Sequence, residues 1–281
     1  MQRSLKRYIW LFLLPTLIAF VIAFLIPFIL GVVLSFTHFT TVTNATWVGL
    51  DNYIRVFTGN RDFINAFFFT VKFTVVSVLS VNLLAFILAL LLTRGLRGTN
   101  FFRTAFFMPN LIGGIVLGYI WQLIINGILA SWGVDLTFRA EYGFWGLVVL
   151  TNWQMIGYMM IIYVAGLQNV PSELQEVASI DGANSWQILR HITIPLVMPS
   201  VTICTFLTLS NSFKMFDQNY ALTGGAPGKA TQMLALDIYN TFYGSVGQEG
   251  VGQAKAVLFF LLVALVAWLQ LRATRGKEVD V

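Results

Sequence analysis

Residues 171–195 read Pro171-Ser172-Glu173-Leu174-Gln175-Glu176-Val177-Ala178-Ser179-Ile180-Asp181-Gly182-Ala183-Asn184-Ser185-Trp186-Gln187-Ile188-Leu189-Arg190-His191-Ile192-Thr193-Ile194-Pro195. This polar stretch lies between long apolar runs. Connections of roughly 25 residues are uncommon as mere turns, and one that carries its own helix signals points to a partner. Ser172 and Gln175 have the S-x-x-Q spacing of a capping box, with Glu173 in the first turn where the positive end of the dipole favours it. Ala178, Ser179, Gly182 and Ala183 fall on one side at about 100° per residue, a face with little side chain that lets a helix approach closely. Glu176 stands at its edge. Gly182 can take positive φ and end the helix. Asn184 or Ser185 can cap a second helix anchored by Trp186, Leu189 and Ile192, which Pro195 ends. An interfacial helix on lipid would want a broad apolar face opposite a Lys/Arg-rich one. Glu173, Glu176 and Asp181 instead make this helix acidic, which favours docking to a protein.

The surroundings are apolar. The chain of 281 residues is 57% hydrophobic and only 10% charged, with a mean hydropathy of +0.77. Soluble domains carry about 25% charged residues, so the bulk solvent of this chain is lipid. Cys204, the single cysteine, forms no internal disulfide and reads as a small core residue. His38 and His191 are far apart and make no ligand pair. The net charge of +5 follows topology rather than nucleic acid. Basic residues cluster at Arg3, Lys6 and Arg7, at Arg94, Arg97 and Arg103, at Arg190, and at Arg272, Arg275 and Lys277. The alternate connections mix fewer bases with acids. This positive-inside asymmetry places both termini in the cytoplasm, and no aromatic-interleaved basic patch argues for nucleic acid.

A helix needs about 20 apolar residues to cross the hydrocarbon core. Six segments qualify, near 8–36, 69–93, 104–125, 144–167, 196–216 and 254–271. The first has a basic flank like a signal peptide. It is longer than a typical signal h-region and no clear small-residue cleavage site follows, so it reads as an uncleaved span. The expected organisation is a first span and outer loop over 1–68, a transmembrane core over 69–271 containing the 171–195 loop, and a cytoplasmic tail over 272–281. Asn44-Ala-Thr46 matches a glycosylation sequon, a pattern too frequent by chance to carry weight. Lys72, Lys214 and Lys255 lie near span ends, where long stems can snorkel. The spans hold almost no Asp, Glu or His of the kind that ion-driven transporters use, which puts the energy source outside this chain.

Glu176-Val-Ala, then Gly182, then Ile192-Thr-Ile-Pro195 resembles the cytoplasmic EAA loop of bacterial ABC-importer permeases. Ala178-Ser-Ile-Asp-Gly-Ala183 with Trp186 is similar to the carbohydrate-uptake branch, of maltose and oligosaccharide type. Val177 stands for the middle Ala and Ile194 for Leu, both apolar exchanges. Val48-Gly-Leu-Asp-Asn-Tyr53, Phe101-Phe-Arg-Thr-Ala-Phe-Phe-Met-Pro109, and Phe216-Asp217 with Leu222-Thr-Gly-Gly-Ala-Pro227 and Thr231 extend the likeness over most of the chain. Ala226 stands where a third Gly is common.

The resemblance implies an all-α polytopic membrane protein with the type I ABC importer permease fold. It implies a coupling role for Glu176, Ala178, Asp181, Gly182, Ala183 and Pro195, seated on a partner ATPase dimer that holds the ATP and Mg. It also implies a second homologous permease subunit and an extracytoplasmic sugar-binding protein that delivers the sugar, all at the bacterial inner membrane. No cofactor is expected on this chain.

Other motifs fail or stay local. Thr223-Gly-Gly-Ala-Pro-Gly228-Lys229-Ala230 misses the phosphate-loop pattern at both ends, so hydrolysis of ATP is not expected here. Gly114-Ile-Val-Leu-Gly118 reads as close helix packing rather than a dimer seam. A sugar path needs polar groups and aromatic platforms within the spans. Asn110, Trp121, Gln122, Asn152, Trp153, Ser210 and Asn211 are the candidates, against the plainer reading that they serve helix contacts. A glycerol-phosphate-type permease is the near alternative and an ion-gradient-driven transporter the distant one. No nucleophile–base pair or carboxylate dyad suggests an enzyme.

Overall fold

The computed structural model describes residues 13–95 and 97–275. In chain order its helices are α1 (Leu13–Leu34), α2 (Asp51–Thr58), α3 (Asp62–Leu92), α4 (Thr99–Phe107), α5 (Gly114–Leu129), α6 (Ala140–Gln168), α7 (Ser172–Ile180), α8 (Ser185–Leu196), α9 (Met198–Phe213), α10 (Asp217–Leu222), α11 (Leu234–Gly244) and α12 (Glu249–Arg275). Between α1 and α2 a short hairpin of β1 (Thr37–His38) and β2 (Thr46–Trp47) pairs Thr37 with Trp47 and His38 with Thr46. The basic residues Arg3, Lys6, Arg7 and Lys277 and the expected start of the first span at Tyr8 lie outside the described residues.

Among the described residues five helices are long and apolar enough to cross a membrane, and α8 with α9 adds a sixth if that pair, bent by 69°, is one span. The polytopic all-α expectation therefore holds, with two differences inside it. The run expected as a span over 104–125 is broken. α4 stops at Phe107, Pro109 sits in a 3-10 turn over Met108–Leu111, Ile112 is extended, and Gly113 caps a new helix that starts at Gly114. The span expected over 196–216 bends at Val197, and Pro199 lies in the first turn of α9. Proline supplies no N–H and its ring crowds the carbonyl four residues back. Hydropathy is blind to the first break, because Met, Pro and Leu keep the stretch apolar, whereas the second falls two residues past the helix end expected at Pro195.

Two other prolines are absorbed without a break. Ahead of Pro27 the helix widens into a π turn over Val21–Leu25, where the Ile26 N–H donates to the Val21 carbonyl. Ahead of Pro195 the same device covers Leu189–Thr193, where the Ile194 N–H donates to the Leu189 carbonyl. The donor that proline lacks is replaced by a hydrogen bond reaching one residue further, as π turns allow.

The chain forms two compact units. The described part of the first comprises 13–63 and Ile238–Phe260. Its centre is Asn52, buried, whose Nδ2 donates to the carbonyls of Ser35 (2.9 Å) and Thr37 (2.8 Å). Phe28 meets Phe260 edge-on at 5.0 Å, and a Cβ on Gly250 would collide with the Thr37 carbonyl. Lys255 does not snorkel. It is buried and its Nζ donates to Thr241 Oγ1 at 2.8 Å.

The second unit, Ile64–Asp237 with 261–275, is organised on α6. Over half of the apolar window of α6 is buried (56%), against 28% for α3. One core cluster joins Val81, Ala85 and Ala89 of α3 to Met159, Met160 and Tyr163 of α6 and Cys204 of α9. Cys204 is buried and free, a packing residue as expected. Another joins Phe73 and Leu117 to Phe144, Leu147 and Leu150. One buried polar chain links three helices of this unit, while Thr74, Ser77, Thr202 and Ser212 bury hydroxyls with no partner among the described residues. Tyr163 donates to Asn82 Oδ1 (2.8 Å), and Asn82 Nδ2 reaches Thr208 Oγ1 (3.3 Å). Lys72 is exposed, and its Nζ lies 4.6 Å from the ring centroid of Phe144, near the start of α6. At Gly157 a Cβ would collide with the carbonyl of Phe106, so α4 crosses α6 backbone to backbone.

Candidate functional site

Two polar regions of the second unit concern function. The first is the α7–α8 segment. The helix α7 starts one residue earlier than a Ser172 cap requires. Pro171 is the N-cap, Ser172 is already helical, and no side-chain cap bond forms. Proline preset near the extended conformation takes the boundary, so the expected Ser172–Gln175 capping box is absent. The other end follows expectation. Gly182 has φ +85°. The Gly182 N–H bonds the Ser179 carbonyl at 3.1 Å and the Ala183 N–H bonds the Ala178 carbonyl at 2.9 Å, a Schellman closure. Asn184 then caps α8 reciprocally: its Oδ1 accepts from the Gln187 N–H (2.9 Å), and Gln187 Oε1 accepts from the Asn184 N–H (2.8 Å).

The small residues of this segment do not form one exposed face. Ala178 and Ala183 are half-buried, while Ser179 and Gly182 are exposed. The outward face carries Glu173, Glu176, Val177 and Ile180, with Val177 57% and Ile180 85% exposed. Trp186 is also exposed rather than an inward anchor, whereas Leu189 and Ile192 are half-buried. Glu176 borders a shallow hollow with Ser172, Gln175, Ser179, Ile180 and Ile188. Asp181, Gly182 and Ala183 border another with Gln187, His191 and Ile192. Pro195 follows the π turn, at the inner end of α8.

The second region is a cleft of about 290 Å³ lined by Asn110, Gln154, Asn211, Lys214, Asp217 and Gln218, with Met155, Met215 and Phe216. Chain breaks supply it. The 3-10 turn at Pro109 delivers Asn110, the end of α9 delivers Asn211 and Lys214, and the start of α10 delivers Asp217 and Gln218. Gln218 Nε2 donates to Gln154 Oε1 at 2.8 Å, which ties α10 to α6 across the cleft wall. The lining therefore offers amide donors and acceptors, one cation and one carboxylate. Such a set suits an uncharged solute rich in hydroxyls.

Residues 98–277 match the family described as binding-protein-dependent transport system inner membrane component. The chain belongs to that family. A protein of Thermoanaerobacterium thermosulfurigenes described as a probable starch degradation products transport system permease protein, AmyD, is 44% identical over 279 residues, covering 96% of this chain and 95% of its own. The multiple sugar-binding transport system permease protein MsmF of Streptococcus mutans is 32% identical, covering 98% and 97%. Among solved structures, a chain of a bacterial alginate ABC transporter, in complex with an alginate pentasaccharide-bound periplasmic protein, superposes with a TM-score of 0.82 at 20% identity, covering 100% of this chain and 99% of that one. The fold is thus that of an ABC importer permease, and the chain is a multi-pass membrane component of a transport system.

Of the seven path candidates in this permease, the cleft unites Asn110 and Asn211. Trp121 and Trp153 pair with each other, ring centroids 5.7 Å apart at 67°. Gln122 is used in packing, its Nε2 donating to the Leu222 carbonyl at 3.0 Å. Asn152 is buried and donates to Ser80 Oγ and to the Val148 carbonyl. Ser210 is half-buried and absent from the cleft lining. Gln154, Lys214, Asp217 and Gln218 were not on the candidate list. Gln154 carries the same signal as Asn152, an amide inside an apolar run. Asp217 and Gln218 look like loop residues until α10 folds back.

Gly114 and Gly118 explain that fold-back. A Cβ on Gly114 would lie 2.7 Å from Asp217 Cβ, and one on Gly118 would lie 2.6 Å from Ala221 Cβ. The G-x-x-x-G pattern seats α10 of the same chain on α5, as the packing reading expects. Asn219 fixes the following loop by accepting from the Met233 N–H (3.0 Å) and donating to the Thr231 carbonyl (2.8 Å). The glycines at 224, 225 and 228 have positive φ, and the hydroxyls of Thr223 and Thr231 bond each other within the turn. The segment 223–230 is a turn-rich loop closed by its own hydrogen bonds.

Proposed function

We propose that this chain is one of two membrane subunits of an ATP-driven importer for a sugar, a di- or oligosaccharide, at the bacterial inner membrane. The reading is carried by the 44% identity, across 96% of the chain, to a permease named for starch degradation products. The cleft supports it chemically: its lining balances Lys214 with Asp217 and adds the four primary amides of Asn110, Gln154, Asn211 and Gln218, a poor match for an anion and a good one for hydroxyls. In this reading an extracytoplasmic binding protein hands the sugar to the outer loops, and a second, homologous permease completes the path. ATP and Mg are held by a separate ATPase dimer, and both termini of this chain face the cytoplasm. The segment 171–195 is the coupling element. Its outward Glu176, Val177 and Ile180 enter a groove of the ATPase, and its closures at Gly182 and Asn184 make it stiff enough to transmit a push.

The test is Glu176→Lys in the assembled complex. Membrane insertion should be retained, while the ATPase no longer co-purifies or maltotriose uptake stops. Normal uptake together with normal co-purification would sink the proposal. Uptake by the chain alone, driven by an ion gradient, would replace it with a secondary transporter.

A further inference from the structure

We infer that α2 is a lipid-anchoring helix lying in the interfacial layer of the bilayer, at the end of α1. The helix is two-faced in an unusual sense. One side, Asn52 and Val56, is buried against the chain. The opposite side is also apolar yet exposed: Leu50 is 63%, Ile54 57% and Phe57 53% exposed. At about 100° per residue these three fall within about 60° of arc, one continuous stripe. Trp47, 70% exposed, extends it. Single exposed apolar residues need no explanation, but a contiguous stripe does.

The depth of this stripe is fixed by contacts to the end of the span. Trp47 stacks on Phe36 at 5.6 Å, Tyr53 packs on Phe36 at 5.3 Å, and the Tyr53 hydroxyl shares a 2.6 Å hydrogen bond with Ser35 Oγ. Asn52 is bonded to the carbonyls of Ser35 and Thr37. All these partners lie within three residues of Leu34, where α1 ends, which at about 3.3 Å per residue of extended chain is at most about 10 Å beyond the helix. That is the headgroup level, where Trp and Tyr concentrate.

The occupant follows from continuity. The last turns of α1 expose Ile29, Leu30 and Val33, the surface that lipid covers on a span, and Trp47 and Tyr53 pack on Phe36, two residues past its end. The polar flank is formed by Asp51 and Arg55, 3.8 Å apart, and by Thr58. It gives the helix a side for water.

Spin labels at single cysteines test it. With Cys204→Ala as background, labels are placed by Asp51→Cys, Ile54→Cys, Arg55→Cys and Phe57→Cys in the assembled transporter, in phosphatidylcholine–phosphatidylglycerol vesicles. Collision with oxygen should dominate at 54 and 57, and collision with a water-soluble nickel chelate at 51 and 55. If 54 and 57 match 51 and 55, the stripe faces water. If 54 and 57 are shielded from both reagents, a protein subunit covers it. Either result overturns the proposal. Independently, benzoylphenylalanine in place of Trp47 should crosslink to lipid on illumination. A protein adduct instead of a lipid adduct would also overturn it.

Discussion

The cleft and the α7–α8 segment are both polar, and they are built in opposite ways. The cleft takes its side chains from several helix breaks that are remote in sequence, and its groups are partly committed to one another, as in the Gln218–Gln154 bond. The segment takes everything from 25 neighbouring residues, and its hydrogen bonds close backbone ends while its side chains point outward. One region depends on how the helices are packed. The other is nearly autonomous and depends on its own caps. Packing changes should therefore reach the cleft and spare the segment, and cap changes should do the reverse.

The largest expected effect tests the packing side. Gly157→Leu places side-chain atoms where the Phe106 carbonyl lies, and backbone cannot step aside cheaply. We expect a loss of about 3 kcal/mol or more, read as a collapse of thermal stability in detergent, with the cleft lost because α4 no longer holds Asn110. Next, Gly182→Val forces a β-branched residue to φ +85°, at a cost of roughly 1–2 kcal/mol or more. Coupled ATPase activity should fall while sugar protection of the cleft persists. A comparable effect on the other side is expected from Asn211→Ala or Asp217→Asn. Loss of one polar contact to sugar is worth about 1–2 kcal/mol, roughly five- to thirtyfold in apparent affinity, with ATPase co-purification unchanged. If Asp217→Asn instead releases the ATPase, the two regions are not separable in this way. The smallest pair is the most diagnostic of the local structure. Asn184→Ala should cost about 1 kcal/mol by removing a cap. Ser172→Ala should be silent in the same melting experiment, because Pro171 holds the N-cap position.

That last contrast shows what could be seen in the sequence. Gly182 and Asn184 act through their immediate neighbours, so residue type and spacing were enough. Ser172 failed because the adjacent proline competes for the same boundary, and the pattern S-x-x-Q cannot say which wins. The spans were legible as apolar windows, and Pro195 marked the bend at Val197 to within two residues, yet the interruption at Pro109 was not legible, since a break made of apolar residues leaves hydropathy unchanged. The cleft was half legible. Asn110 and Asn211 stand out as amides in apolar runs. Lys214 comes with Asn211 from the end of α9, whereas Asp217 and Gln218 join them because Gly114 and Gly118 let α10 lie on α5, a tertiary fact with no local trace. Lys255 was misread for a related reason: Thr241, whose Oγ1 accepts its hydrogen bond, comes from another helix.

The π turns before Pro27 and Pro195 amount to a phase slip. Each inserts the equivalent of one residue into an otherwise regular helix, so everything downstream is rotated by about 100° relative to an uninterrupted one. A helical wheel drawn straight through Ser185–Leu196 therefore misassigns sides: Trp186 belongs to the wheel before the slip and Pro195 to the one after it. Trp186, ahead of the slip, stands in the open, while Ile192, inside the π turn, is half-buried.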